Sequence, residues 1–82
     1  MENKILVELI VPQIDKRYSV YIPVNVKIGR VHKYFNKAIS EFTNNLYNKI
    51  DNRLYDEEGN ILDDNCFVSN SKIQSGCLIV ML

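Results

Sequence analysis

The last nine residues, Gln74-Ser75-Gly76-Cys77-Leu78-Ile79-Val80-Met81-Leu82, run from a Ser-Gly turn into an unbroken apolar segment. Glycine supplies the turn, and the aliphatic and β-branched residues after it read as a strand. Its place depends on the elements that precede it.

Residues 4–12, KILVELIVP, are rich in β-branched and aliphatic side chains and close on Pro12, as a first strand does. Glu8 sets the phase. With Glu8 in water, Ile5, Val7, Leu9 and Val11 face inward while Leu6 and Ile10 share the outer face. The polar turn QIDKR leads to YSVYIPV, in which Tyr18, Val20 and Ile22 alternate with Ser19, Tyr21 and Pro23, and Pro23 ends the pairing because it has no N–H.

From Lys27 to Thr43 the period changes. Ile28, Val31, Phe35, Ala38, Ile39, Phe42 and Leu46 recur at three- and four-residue steps, the stripe of an amphipathic helix. Asn25 is the candidate N-cap, Gly29 weakens the first turn, and the opposite face carries Lys27, Arg30, Lys33 and Lys37. The Asn-rich TNNLYNKIDN reads as a loop or frayed helix end. RLYDEEGNIL reads as a strand, a turn at Gly59 and a second short strand. In the loop-like DDNCFVSNSKIQSG, Phe67, Val68 and Ile73 are expected to plug the core.

One helix of about four turns covers one face of a small sheet. The expected fold is therefore α+β of the β-grasp type: a mixed sheet of four to five strands, the last strand central and parallel to the first, with the helix across one face. A second helix, which a split βαβ fold needs, has no candidate. At 82 residues, 46% of them hydrophobic, the whole chain, 1–82, is expected to be a single domain, since two cores would each be too small.

Composition narrows function. Formal net charge is zero, which gives no bulk attraction to nucleic acid, and no apolar run approaches the length of a membrane span. No partner of either kind is expected. The charge is unevenly spread: residues 1–50 hold eight Lys/Arg and four Asp/Glu, residues 51–82 hold two and six. Without a secretory signal, Cys66 and Cys77 are expected to be reduced thiols in a cytoplasmic protein. They and one histidine fall short of a structural zinc or four-Cys iron–sulfur set, so no metal or cofactor is expected. His32, off the apolar stripe and between basic residues, reads as an exposed side chain. Asp63-Asp64 reads as a solvated pair, and no catalytic constellation emerges.

Arg53, Gly59, Leu62-Asp63-Asp64, Ser69 and Ile73 before the final strand, with the Ile28, Val31, Phe35 spacing of the helix, resemble ubiquitin-like proteins across nearly the whole chain. Within that group, the NSKIQSGCLIVML ending is similar to that of the YukD and EsaB proteins of bacterial type VII (WXG100) secretion systems. The resemblance implies a non-conjugating interaction module, not an enzyme, whose partner is a protein such as a type VII secretion component. An ending on Leu82 rather than a Gly-Gly tail leads to the same expectation of no C-terminal activation. The alternative is a small β-grasp subunit of a multicomponent enzyme, or a carrier processed at its C-terminus.

Ubiquitin relatives bind through the outer sheet face, and strand phase suggests an apolar patch there. With Val7, Leu9, Leu78, Val80 and Leu82 on the helix side, the patch comprises Leu6, Ile10, Ile79 and Met81, joined by Leu54 if Tyr55 points inward. Weak self-association through this patch is a further expectation.

Overall fold

A computed structural model describes residues 3–47 and 51–82 of the chain. Four strands form one sheet in the order β2-β1-β4-β3, with β1 at Lys4–Val11, β2 at Lys16–Pro23, β3 at Leu54–Tyr55 and β4 at Leu78–Met81. β1 pairs with β2 antiparallel and with β4 parallel, and β3 closes the other side antiparallel to β4. Among the described residues one α-helix, α1, spans Ile28–Phe42 and packs across one face. This is the expected β-grasp, with the first and last strands central and parallel. The anticipated second short strand after Gly59 is one isolated bridge, Tyr55 to Ile61.

Period-two alternation builds β1. Val7, Leu9 and Val11 are buried, while Leu6, Glu8 and Ile10 turn to the other face. Register then carries the phase to the neighbours. Val20 of β2 stands opposite Val7, and Ile79 of β4 lies beside Leu9, so both share the helix side. The helix adds Ile28, Val31, Phe35 and Ile39, all buried, each removing apolar surface worth about 2 kcal/mol from water.

The helix departs from its predicted stripe at its C-terminal end. Phe42 and Leu46 are exposed at 61% and 86%, because α1 stops at Phe42 and the chain then turns away. Phe42 instead leans on Tyr18, with ring centroids 5.5 Å apart. Asn44 and Asn45 take left-handed dihedrals, φ 53 and 67, that end the helix, and the Thr43 hydroxyl donates to the Ile39 carbonyl at 2.8 Å. Hence the asparagines in this stretch. The predicted loop continues through Asn48, Lys49 and Ile50, which lie outside the described residues.

At the other end Asn25 does not cap the helix. The N-cap residue is Lys27, without a side-chain cap. The first N–H groups are satisfied from outside, Ile28 by the Cys66 carbonyl at 2.8 Å and Gly29 by the Asp64 carbonyl at 3.0 Å. A Cβ on Gly29 would stand 3.1 Å from that same Asp64 oxygen. Glycine leaves room for this close approach, which a Cβ would crowd. Of the three anticipated plugs, Val68 and Ile73 are buried, and Phe67 is 40% exposed.

Candidate interaction face

The face of the sheet away from α1 is assembled by the same registers. Glu8 stands opposite Ser19 and beside Leu78, and Ile10 stands opposite Arg17 and beside Val80, which in turn faces Tyr55. Leu6, with Tyr21 opposite it, extends the row. The result is an aliphatic strip of Leu6, Ile10, Leu78 and Val80 across the two central strands, flanked by Tyr21 and Tyr55. Leu6 is 38% exposed, and Ile10, Leu78, Val80 and Tyr55 are half-buried. Glu8 interrupts the strip and pairs with Arg17 at 3.1 Å.

This strip shares Leu6 and Ile10 with the predicted patch, but not the rest. Leu54, Ile79 and Met81 are buried against the helix side, with Ile79 and Met81 wholly inaccessible, so none of the three belongs to an exposed patch. Their places are taken by Leu78 and Val80, which were expected inside, and Leu82, also expected inside, is exposed. The cause is register: the pairing of Leu9 with Ile79 and of Met81 with Leu54 puts these side chains on the core face together. An all-aliphatic strand fits either phase, and only its neighbours choose. Tyr55 accordingly points outward.

Polar side chains pack at the other flank of α1. His32, expected in water, has a side chain only 12% exposed, and its Nε2 lies 2.6 Å from Oδ1 of the buried Asn52. Asn52 also exchanges hydrogen bonds with Asn36, and its Nδ2 donates to the hydroxyl of buried Tyr47 at 2.5 Å. No buried side-chain polar atom among the described residues lacks a partner. Local pattern does not mark Tyr47 or Asn52 as buried, because both sit in an asparagine-rich stretch without periodicity. The cluster is a fully satisfied clasp between helix and loop, not an open site.

Cys66 and Cys77 are free thiols, partly buried beside the core. Among the described residues, no group of three or more His, Cys, Asp and Glu stands close enough to hold a metal, and no helix is long and apolar enough to cross a membrane.

No protein-family description matches the chain, and no curated protein matches it. Solved structures do resemble it in shape. A chain of the MycP5-free ESX-5 inner membrane complex, State II, superposes with a TM-score of 0.83 at 10% identity; the match covers 98% of this chain and 21% of that one, so the present chain spans about a fifth of its length. A ubiquitin-like protein from Trypanosoma brucei superposes at 0.77 with 16% identity, covering 100% and 96% of the two chains. The N-terminal ubiquitin-like domain in the 4931431F19Rik protein gives 0.69 at 23% identity, covering 100% and 76%. The chain therefore has the ubiquitin-like β-grasp fold.

Proposed function

We propose that this chain is a non-conjugating ubiquitin-like module that docks the outer face of its sheet on a partner protein, as an accessory or regulatory part of type VII secretion in a bacterial cytoplasm. The observation that carries the docking face is the aliphatic strip of Leu6, Ile10, Leu78 and Val80 on the side the helix leaves uncovered. A sheet covered on one face ordinarily turns polar residues outward on the other. An aliphatic row there marks a surface meant for burial. Docking is reversible and uses no covalent chemistry. Assignment to secretion draws support from the resemblance of the sequence ending to YukD and EsaB proteins and from the shared fold with a chain of the ESX-5 complex.

The test is affinity capture from the host with the wild-type chain and with a Leu78→Asp/Val80→Asp variant, each first shown to be folded by circular dichroism. Type VII secretion components retained by the wild type and lost from the variant are the expected result. Equal retention by both would remove the outer face from the proposal, and capture that omits every secretion component would remove the secretion assignment.

A further inference from the structure

The core face of α1 carries Val31, Phe35 and Ile39, and at 3.6 residues per turn Arg30, Lys33 and Lys37 fall together within an arc of about 60° on the opposite side. All three are exposed. Lys27, at the N-cap and also exposed, continues the row, so that four cations run about 15 Å along the helix. Tyr34, one turn from Arg30 on the same side, is 55% exposed. Among the described residues none of the four cations makes an ion pair: the pairs there are Arg17 with Glu8 and, when the histidine is protonated, His32 with Asp64. Glu41, one turn beyond Lys37, ends the row.

The chain is neutral in sum, so this concentration of charge is local. Its counterpart lies elsewhere: Glu57 and Glu58, both exposed, follow β3, which is the edge of the sheet opposite β2. A molecule charged in this way takes a preferred orientation in the field of an extended negative surface, with the helix toward it and the acidic edge away. Two features of the row suit a lipid surface. Three of its four cations are lysines, compact point charges on flexible stems that match a diffuse layer of headgroups, whereas the arginine fork favours a single carboxylate held bidentately. Tyr34 adds an apolar ring with a polar tip, a side chain that settles at the level of the headgroups.

We propose that the solvent side of α1 docks reversibly on an anionic lipid surface, with Lys27, Arg30, Lys33 and Lys37 against the headgroups and Tyr34 among them. Nothing inserts across the bilayer. The strip of Leu6, Ile10, Leu78 and Val80 lies on the far face of the sheet and stays open in this pose. A docked chain can therefore hold a partner protein at the same time, and neither role depends on the other.

The probe is vesicles of equal parts phosphatidylcholine and phosphatidylglycerol, with pure phosphatidylcholine vesicles as control. Sedimentation is expected to carry the chain down with the anionic vesicles, less so as salt rises, and not with the neutral ones. Lys33→Gln/Lys37→Gln is expected to weaken partitioning about thirtyfold at low salt, at roughly fivefold for each cation near the surface. Arg53→Gln/Lys72→Gln removes the same net charge from exposed positions outside the row and is expected to change it less than about twofold. The chain has no tryptophan, so Tyr34→Trp adds a single reporter, whose emission should shift to the blue on anionic vesicles. No sedimentation with those vesicles overturns the proposal. So does equal weakening by the two glutamine pairs, which would reduce binding to net charge, or an unshifted Tyr34→Trp emission from the bound chain. Complete release from the vesicles by polyglutamate, or by a short single-stranded oligonucleotide, at equal total charge would also overturn it, by assigning the row to an acidic protein or to nucleic acid.

Discussion

Nε2 of His32, on α1, lies 2.6 Å from Oδ1 of Asn52, twenty positions along the chain. An amide oxygen only accepts, so the hydrogen sits on Nε2, which leaves Nδ1 facing the Asp64 carboxylate at 3.9 Å. Asn52 uses its remaining groups on Asn36 and Tyr47, which ties the helix to the segment that enters β3. Truncation of Asn52 to alanine would leave three buried or half-buried partners unmatched. Asn52→Ala is expected to lower stability by about 2–3 kcal/mol in urea unfolding, the usual cost of stranding buried polar groups. A change under about 0.5 kcal/mol, typical of an indifferent surface site, would show that the clasp contributes nothing.

Ile79 and Val80 are adjacent but meet opposite environments, the first wholly buried beside Leu9 and the second on the outer face beside Ile10. Ile79→Asp is expected to unfold the chain, since a buried, unpaired carboxylate costs several kcal/mol and small domains have about 5 kcal/mol in all. Val80→Asp is expected to cost about 1 kcal/mol, from lost β-propensity and cross-strand contact. Chemical unfolding of the pair decides the phase of β4: equal losses, or the reverse order, would contradict the register described here.

Gly76 delivers the chain into β4 with φ at 94, and its N–H donates to the Leu6 carbonyl at 2.7 Å. No atom stands within 4 Å of where a Cβ would go, so a substitution meets dihedral strain rather than a clash. Gly76→Ala is expected to cost about 1–2 kcal/mol, Gly76→Asn less, and Gly76→Val more, following tolerance of the left-handed region. A thermal melt of the three would show this order, and indifference to the side chain would refute the strain.

These residues also show how far the sequence could be read. Glu8 fixed the phase of β1 because one charged residue in an aliphatic strand has a single inexpensive side. The Ile28, Val31, Phe35, Ile39 spacing fixed the helix for the same reason, and together they yield the β-grasp order. Leu78 to Leu82 held no such marker. Its phase was settled by hydrogen-bonded partners on β1 and β3, which no local pattern encodes, and so three of five predicted patch residues changed face. The burial of His32 is illegible for a related reason: its neighbours in sequence are basic, but its partner Asn52 arrives from a distant loop.

Asp56 begins the acidic turn before Gly59, and its Oδ1 accepts the N–H groups of Asn60 at 2.8 Å and Glu58 at 2.9 Å. Chiefly the Asn60 N–H, with help from the Asn60 side chain and the Glu58 N–H, holds its pKa below the ordinary 3.8. A carboxylate whose pKa falls on folding adds stability that is complete above the unfolded value and is lost as pH drops through the folded one. Asp56→Asn keeps an acceptor in place but removes the charge. The variant is expected to unfold at lower urea than the wild type at pH 7, and the gap should close on acidification below the ordinary value of 3.8. Urea midpoints across that range provide the check. A gap that stays constant into strong acid would mean that the turn is held by its shape and not by the charge on Asp56.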